Sequence, residues 1–142
     1  MGVHAPGLFG HYRLVRAIWT TKPELENVAV LRQNVREYAR GTGLDTEQVA
    51  DLTLAVSEIV ANAVVHAYRD GSDGTITVHA ETGKDGAVRV RIADDGIGLS
   101  PRTDSPGAGL GLVIAGNVAD RLEIDRPEAG GTEVRLTFAI AA

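Results

Sequence analysis

The sequence predicts an α/β (α+β) two-layer sandwich, in which a mainly antiparallel, mixed β-sheet is covered on one face by helices. Three observations predict it. Three segments alternate at period two: Ile76-x-Val78-x-Ala80, Val88-x-Val90-x-Ile92 and Val134-x-Leu136-x-Phe138-x-Ile140. Thr77, His79, Arg89, Arg91, Arg135 and Thr137 fill the positions between, so one sheet face is dry and the other wet. Two longer stretches early in the chain carry apolar residues at helical spacing, and these supply the covering layer.

The elements follow in order. Residues 1–12 form a loose N-terminal extension, and residues 13–142 a single domain. Arg13 to Thr20 reads as the first strand. Thr21-Lys22-Pro23-Glu24 fits a capping box, with Thr21 as N-cap and Glu24 three residues on. The helix behind it places Leu25, Val28, Leu31, Val35 and Tyr38 on one face, and Gly41 and Gly43 end it. Asp45 to Gln48 caps a second helix that runs to about Tyr68. Lys84-Asp85-Gly86 turns the first period-two strand into the second. A short helix at about Leu110 to Ala119 precedes a strand at Arg121 to Asp125, and Glu128 to Gly131 turns the chain into the last strand.

Composition excludes several classes of function. The chain has 142 residues and no cysteine, so thiol catalysis and thiolate metal sites are absent, and its size supports a core without a covalent staple. This fits a cytoplasmic protein. No apolar run reaches membrane-spanning length, and Met1 to Tyr12 lacks the apolar centre of a signal peptide. The formal charge is -5 with Lys and Arg dispersed, and aromatic residues are 4%, so neither bulk electrostatics nor base stacking favours nucleic acid. An acidic chain that binds a phosphate needs backbone N–H groups or a bridging cation.

The second helix holds the most informative pattern. Glu58, Asn62 and His66 stand four apart, which stacks them on one helix face among Val56, Ile59, Val60, Ala63 and Val64. An unpartnered buried glutamate is costly, so Glu58 either reaches water or has a chemical role. That role is general base beside Asn62 as a magnesium ligand. His66 has no second histidine or acid at ligand spacing and reads as structural.

Three glycine clusters follow. In Asp94-Asp95-Gly96-Ile97-Gly98, Asp94 can accept a hydrogen bond from an exocyclic amine while Gly96 and Gly98 let a ring approach the backbone; alone, the segment is equally a tight turn. Gly107-Ala108-Gly109-Leu110-Gly111-Leu112 opens a helix whose free N–H groups suit phosphate. It is neither a dinucleotide fingerprint nor a Walker loop. Gly131-Thr132, alone, is equally a hairpin pair.

In combination these segments resemble the Bergerat-fold (GHKL) ATP-binding domain of gyrase, mismatch-repair ATPases, sensor histidine kinases and anti-sigma-factor kinases. Glu58-x-x-x-Asn62 falls on the family's helical Asn motif, Asp94-x-Gly96-x-Gly98 on its first glycine box, Gly107-x-Gly109-Leu110-Gly111-Leu112 on its second, and Gly131-Thr132 on its Gly-Thr motif. The chain is most similar to the bacterial anti-sigma-factor serine/threonine kinases, through Leu54 to Glu58, Asn62-Ala63-Val64, His66-Ala67-Tyr68 and the run Gly109 to Ile124. The resemblance implies ATP and Mg2+ as cofactors and Glu58 as the catalytic base. It implies Asn62 as metal ligand, and Asn62, Asp94, Gly96, Gly98, Gly107, Gly109, Leu110, Gly111, Leu112 and Thr132 as the nucleotide contacts. Arg102, in the segment Leu99 to Pro106 over the nucleotide, is the candidate for the γ-phosphate. The implied partners are a STAS-domain anti-anti-sigma protein as phosphorylation substrate, a sigma factor, and a second copy in a homodimer. The alternative is a non-catalytic module that uses ATP only to hold its shape. A sensor histidine kinase would need a helix bearing the phosphorylated histidine, which the 22 residues before Pro23 do not hold.

Overall fold

The computed structural model describes residues 3–4, 15–67, 73–96, 110–128 and 130–140. Its elements are β1 (Val3–His4), β2 (Val15–Thr21), α1 (Leu25–Arg40), α2 (Thr46–Asn62), a π-helical turn (Ala63–Ala67), β3 (Ile76–Thr82), β4 (Val88–Asp94), α3 (Leu110–Val118), β5 (Arg121–Asp125) and β6 (Thr132–Phe138). The strands form one sheet in the order β1-β2-β3-β4-β6-β5, and all five pairings are antiparallel. α2 packs between α1 and α3 on one face. The α+β two-layer sandwich expected from the sequence is the fold.

The period-two segments bury the residues their pattern nominated. Ile76, Val78, Ala80, Val88, Val90, Ile92, Val134, Leu136 and Phe138 all lie in the core, facing Leu31, Val35, Leu52, Val56, Ile59 and Val60 from the helices. α2 and its π turn, Thr46–His66, are long and apolar enough to cross a bilayer by length and composition. Here α2 is the central helix of the core, with Leu52, Ala55 and Val56 at 0% exposure.

Three local expectations meet a different outcome. Thr21 does not cap α1: it is the last residue of β2, paired with Ile76. The N-cap is Glu24, which makes no side-chain capping bond. The carbonyl of Lys22 instead accepts from the Glu24 N–H at 2.8 Å and from Asn27 Nδ2 at 3.1 Å, which closes the helix entry. The first strand is described from Val15, and Arg13, where it was expected to begin, lies outside the described residues. Within the N-terminal extension Val3 and His4 pair with Ala17 and Arg16, which adds a short edge strand. Finally, α2 stops being α-helical at Asn62 and continues as a π turn to Ala67; Tyr68 lies outside the described residues.

The capping box expected at Asp45 is present. Asp45 Oδ1 accepts from the Gln48 N–H at 2.8 Å, and Gln48 Oε1 accepts from the Asp45 N–H at 3.1 Å. Gln48 also donates from Nε2 to the Ala139 carbonyl at 2.6 Å, so the start of α2 is tied to the end of β6. Tyr38 does the same for α1. Its hydroxyl donates to the Val15 carbonyl at 2.8 Å and lies 2.7 Å from Thr82 Oγ1, while its ring meets Trp19 edge-on at 6.1 Å.

Candidate functional site

The sheet register builds one side of the candidate site. β4 is central, and its last residue, Asp94, stands opposite Ile76 on β3 and Thr132 on β6. Two motifs far apart in sequence thereby become neighbours. Asp94 is 9% exposed and Thr132 2%. The Asp94 carboxylate accepts from the Gly96 N–H at 3.1 Å. Burial pushes its carboxyl above the usual carboxylate range; the backbone N–H groups of Gly96 and Thr132 oppose this, and the charge of Asp95 adds to it.

Gly131 is required here twice over. Its φ is +84°, a region that side chains rarely adopt. A Cβ on it would run into the Asp94 carbonyl oxygen and stand 3.1 Å from the Asp95 Cα. Gly130 shares the left-handed conformation at φ +103° but faces open space. The close approach of Gly131 is what brings Thr132 against Asp94. Asp95 acts on the opposite neighbour of β4. Its Oδ1 accepts from the Thr75 N–H at 2.8 Å, which pins the end of β4 to the start of β3. Sequence reasoning did not assign that residue, although an Asx acceptor after a strand end is a common turn signal.

The other side is α2. Glu58 and Asn62 sit one turn apart and are half-buried at the edge of the helical layer. No hydrogen bond or ion pair engages Glu58 among the described residues, whereas Asn62 is not without a partner. The neighbouring Ser57 is 9% exposed and receives a hydrogen bond from Arg32 Nη1 of α1 at 3.4 Å. His66 does not continue the stripe in α-helical register. It falls in the π turn that follows the α-helical part of α2.

α3 begins at Leu110, with Leu112 and Ala115 buried in the core and Gly111 in its first turn. Gly98, Arg102, Gly107 and Gly109 lie outside the described residues. The structure therefore places Asp94, Gly96 and Thr132 together at one strand end and Glu58 with Asn62 on one helix edge. Among the described residues no group of three His, Cys, Asp or Glu could hold a metal ion. A hollow of about 670 Å³ lies elsewhere, on the open sheet face, lined by Arg16, Ile18, His79, Arg91, Glu123 and Arg135 among others.

A buried strand-end carboxylate, a glycine that must approach it closely, and a carboxylate with no partner among the described residues one turn from an amide are features that a nucleotide-binding ATPase site calls for. Residues 21–138 match the histidine kinase-like ATPase domain, and the chain belongs to that family. It is 30% identical over 120 residues to an anti-sigma F factor of Clostridium beijerinckii, covering 77% of this chain and 83% of the relative. It is 33% identical over 126 residues to an anti-sigma F factor of Heyndrickxia coagulans, covering 81% and 86%. Among solved structures it resembles the RsbU and RsbW domains of a Mycobacterium tuberculosis protein, with TM-score 0.70 and 30% identity over 89% of this chain and 33% of that one. A blue-light activated histidine kinase from Erythrobacter litoralis aligns with TM-score 0.56 and 25% identity, over 68% of this chain and 32% of that one. The expected likeness to GHKL anti-sigma-factor kinases is borne out.

Proposed function

We propose that this protein is an ATP-dependent serine/threonine kinase of the anti-sigma type. It phosphorylates a hydroxyl on a STAS-domain anti-anti-sigma partner, sequesters a sigma factor, and works in the cytoplasm as a homodimer. The observation that carries the reading is Glu58: a half-buried carboxylate with no partner among the described residues, one turn before Asn62. A module that merely clamps a partner has no use for such a group.

The roles follow from chemistry. Asp94 offers buried acceptor oxygens to the exocyclic amine of adenine, and guanine has no donor at that edge. Thr132 supports the same edge, with Gly96 and Gly98 admitting the ring. Leu110, Gly111 and Leu112 open α3, whose N–H groups would face phosphate, and Gly107 and Gly109, which lie outside the described residues, are assigned to the same contact. With no acidic cluster among the described residues, Mg2+ would be held by phosphate oxygens and the Asn62 amide, a donor set that suits this hard, water-retaining ion. When bound, the ion neutralises charge on the phosphates. Glu58 accepts the proton of the partner's hydroxyl as the new O–P bond forms and the bond from the γ-phosphorus to the bridging oxygen breaks, leaving ADP.

The open sheet face suits the second copy. Ile18 is 46% exposed there among arginines already paired with acids, and a two-fold contact would be isologous. The direct test is to mix the chain with labelled Mg-ATP and, one at a time, the purified STAS-domain proteins of its own genome. The expected result is label on one serine or threonine of one of them. ATP binding with no transfer to any of them would instead support the non-catalytic module.

A further inference from the structure

Eight of the arginines among the described residues fall into two sets. On the open sheet face, Arg16, Arg89, Arg91, Arg121 and Arg135 each lie within 4 Å of a carboxylate: Glu81, Asp85, Glu133 or Glu123, with Asp125 also beside Arg135. That face neutralises itself. On α1, Arg32, Arg36 and Arg40 recur every fourth residue, a stripe about 12 Å long at 1.5 Å per residue. No salt bridge joins any of these three to an acid among the described residues. Glu37, between them in sequence, is hydrogen-bonded to Gln33. Arg40 has a local use at the helix C-terminus, where a cation opposes the dipole, but Arg32 and Arg36 are mid-helix.

The stripe also has a direction. Arg32 reaches Ser57 of α2, the residue next to Glu58. One turn before Glu58 stands Leu54, which is 44% exposed and absent from the core. The Arg32 end of the row, the exposed Leu54 and Glu58, which has no partner among the described residues, thus lie near one another on the α1–α2 layer, and Arg36 and Arg40 extend the row from there toward the start of α2. The chain as a whole carries -5, so this local positive stripe stands out against its own field.

We propose that Arg32, Arg36 and Arg40, with Leu54 beside them, form the docking surface for an acidic patch on the partner protein, and that docking there aims the partner's hydroxyl at Glu58. The proposal rests on the kinase reading above and adds the partner's chemistry to it. Three cations on an acidic protein are too few for tight binding to a nucleic acid backbone, whose affinity grows with each phosphate neutralised. A protein surface needs only a few matched charges around an apolar anchor. Arginine also suits carboxylates in particular, through its planar, two-pronged donors.

The test uses the full chain and the variant R32Q/R36Q/R40Q, whose folding is checked by circular dichroism and by ATP calorimetry. Each is titrated with the individual purified STAS-domain and sigma-factor proteins of the same genome at 50 and 200 mM salt. A random-sequence duplex DNA and phosphatidylserine vesicles serve as further ligands. The expected result is unchanged ATP affinity, partner binding weakened about tenfold or more at low salt, and loss of most of the wild-type salt dependence. Restored binding between Arg36→Glu and a partner carrying a Glu→Arg exchange would identify the contact. Equal partner affinity for wild type and variant would overturn the stripe and leave the kinase reading intact. Absence of any protein partner for the wild type would overturn both. Stripe-dependent binding to the DNA or the vesicles alone would overturn the acidic-protein assignment.

Discussion

Asp94 serves two opposed demands. Burial raises its affinity for a proton, whereas the role proposed for it toward an amine donor needs the ionised acceptor. The sign for stability follows. An acid whose folded value lies above its unfolded value binds more protons when folded, so its contribution to stability falls as pH rises through that interval. Asp94→Asn should therefore leave the apo protein at least as stable as wild type at pH 7 in urea melts. The same change should weaken ATP by about 1.5–3 kcal/mol, the range for a charge-assisted bond. By calorimetry, wild-type ATP affinity should decline as pH falls through the raised Asp94 value, and that of Asp94→Asn should stay flat there. Gly131→Ala combines a disfavoured φ with a collision against the Asp94 carbonyl, so it should cost at least about 1–3 kcal/mol of stability and disturb nucleotide binding as well. Urea melts showing no loss would mean that the turn relaxes without moving β4.

At the scale of elements, hydrophobic period was the legible signal and chain entry the illegible one. The strands at 76–82, 88–94 and 132–138 and the core faces of α1 and α2 could be read because burial itself imposes the period. Two similar capping patterns had different fates. Asp45 and Gln48 form their reciprocal bonds, but Thr21 was claimed by strand pairing, a non-local contact that no four-residue window contains. Asp45→Ala should cost about 1 kcal/mol, and Tyr38→Phe about 0.5–1.5 kcal/mol through loss of its link to β2 and β3, both read from denaturant midpoints. The π turn was invisible for a related reason: apolar residues fit a wide turn or a narrow one, and the spacing of Asn62 to His66 looked helical either way. For the candidate site, the motifs nominated Glu58, Asn62, Asp94 and Thr132. That Asp94 meets Thr132 was not, because the register joining β4 to β6 is set by the whole sheet.

At the scale of the molecule, the proposal assigns the nucleotide chemistry to the helical layer with the ends of β4 and β6, and assembly to the open sheet face. Light scattering at micromolar concentration should give a dimer mass, and Ile18→Asp should shift it toward the monomer by placing an unpaired charge in the contact. A monomer mass for the wild type, with and without ATP, would remove the dimer from the account. The central claim is that Glu58 makes this fold a kinase. It is tested most directly by single-turnover transfer from labelled Mg-ATP to the cognate STAS protein, comparing wild type with Glu58→Gln. Unchanged ATP affinity and partner binding are expected, with transfer slowed by about 10²–10⁴-fold, the usual worth of a general base. Transfer by Glu58→Gln at the wild-type rate would contradict it.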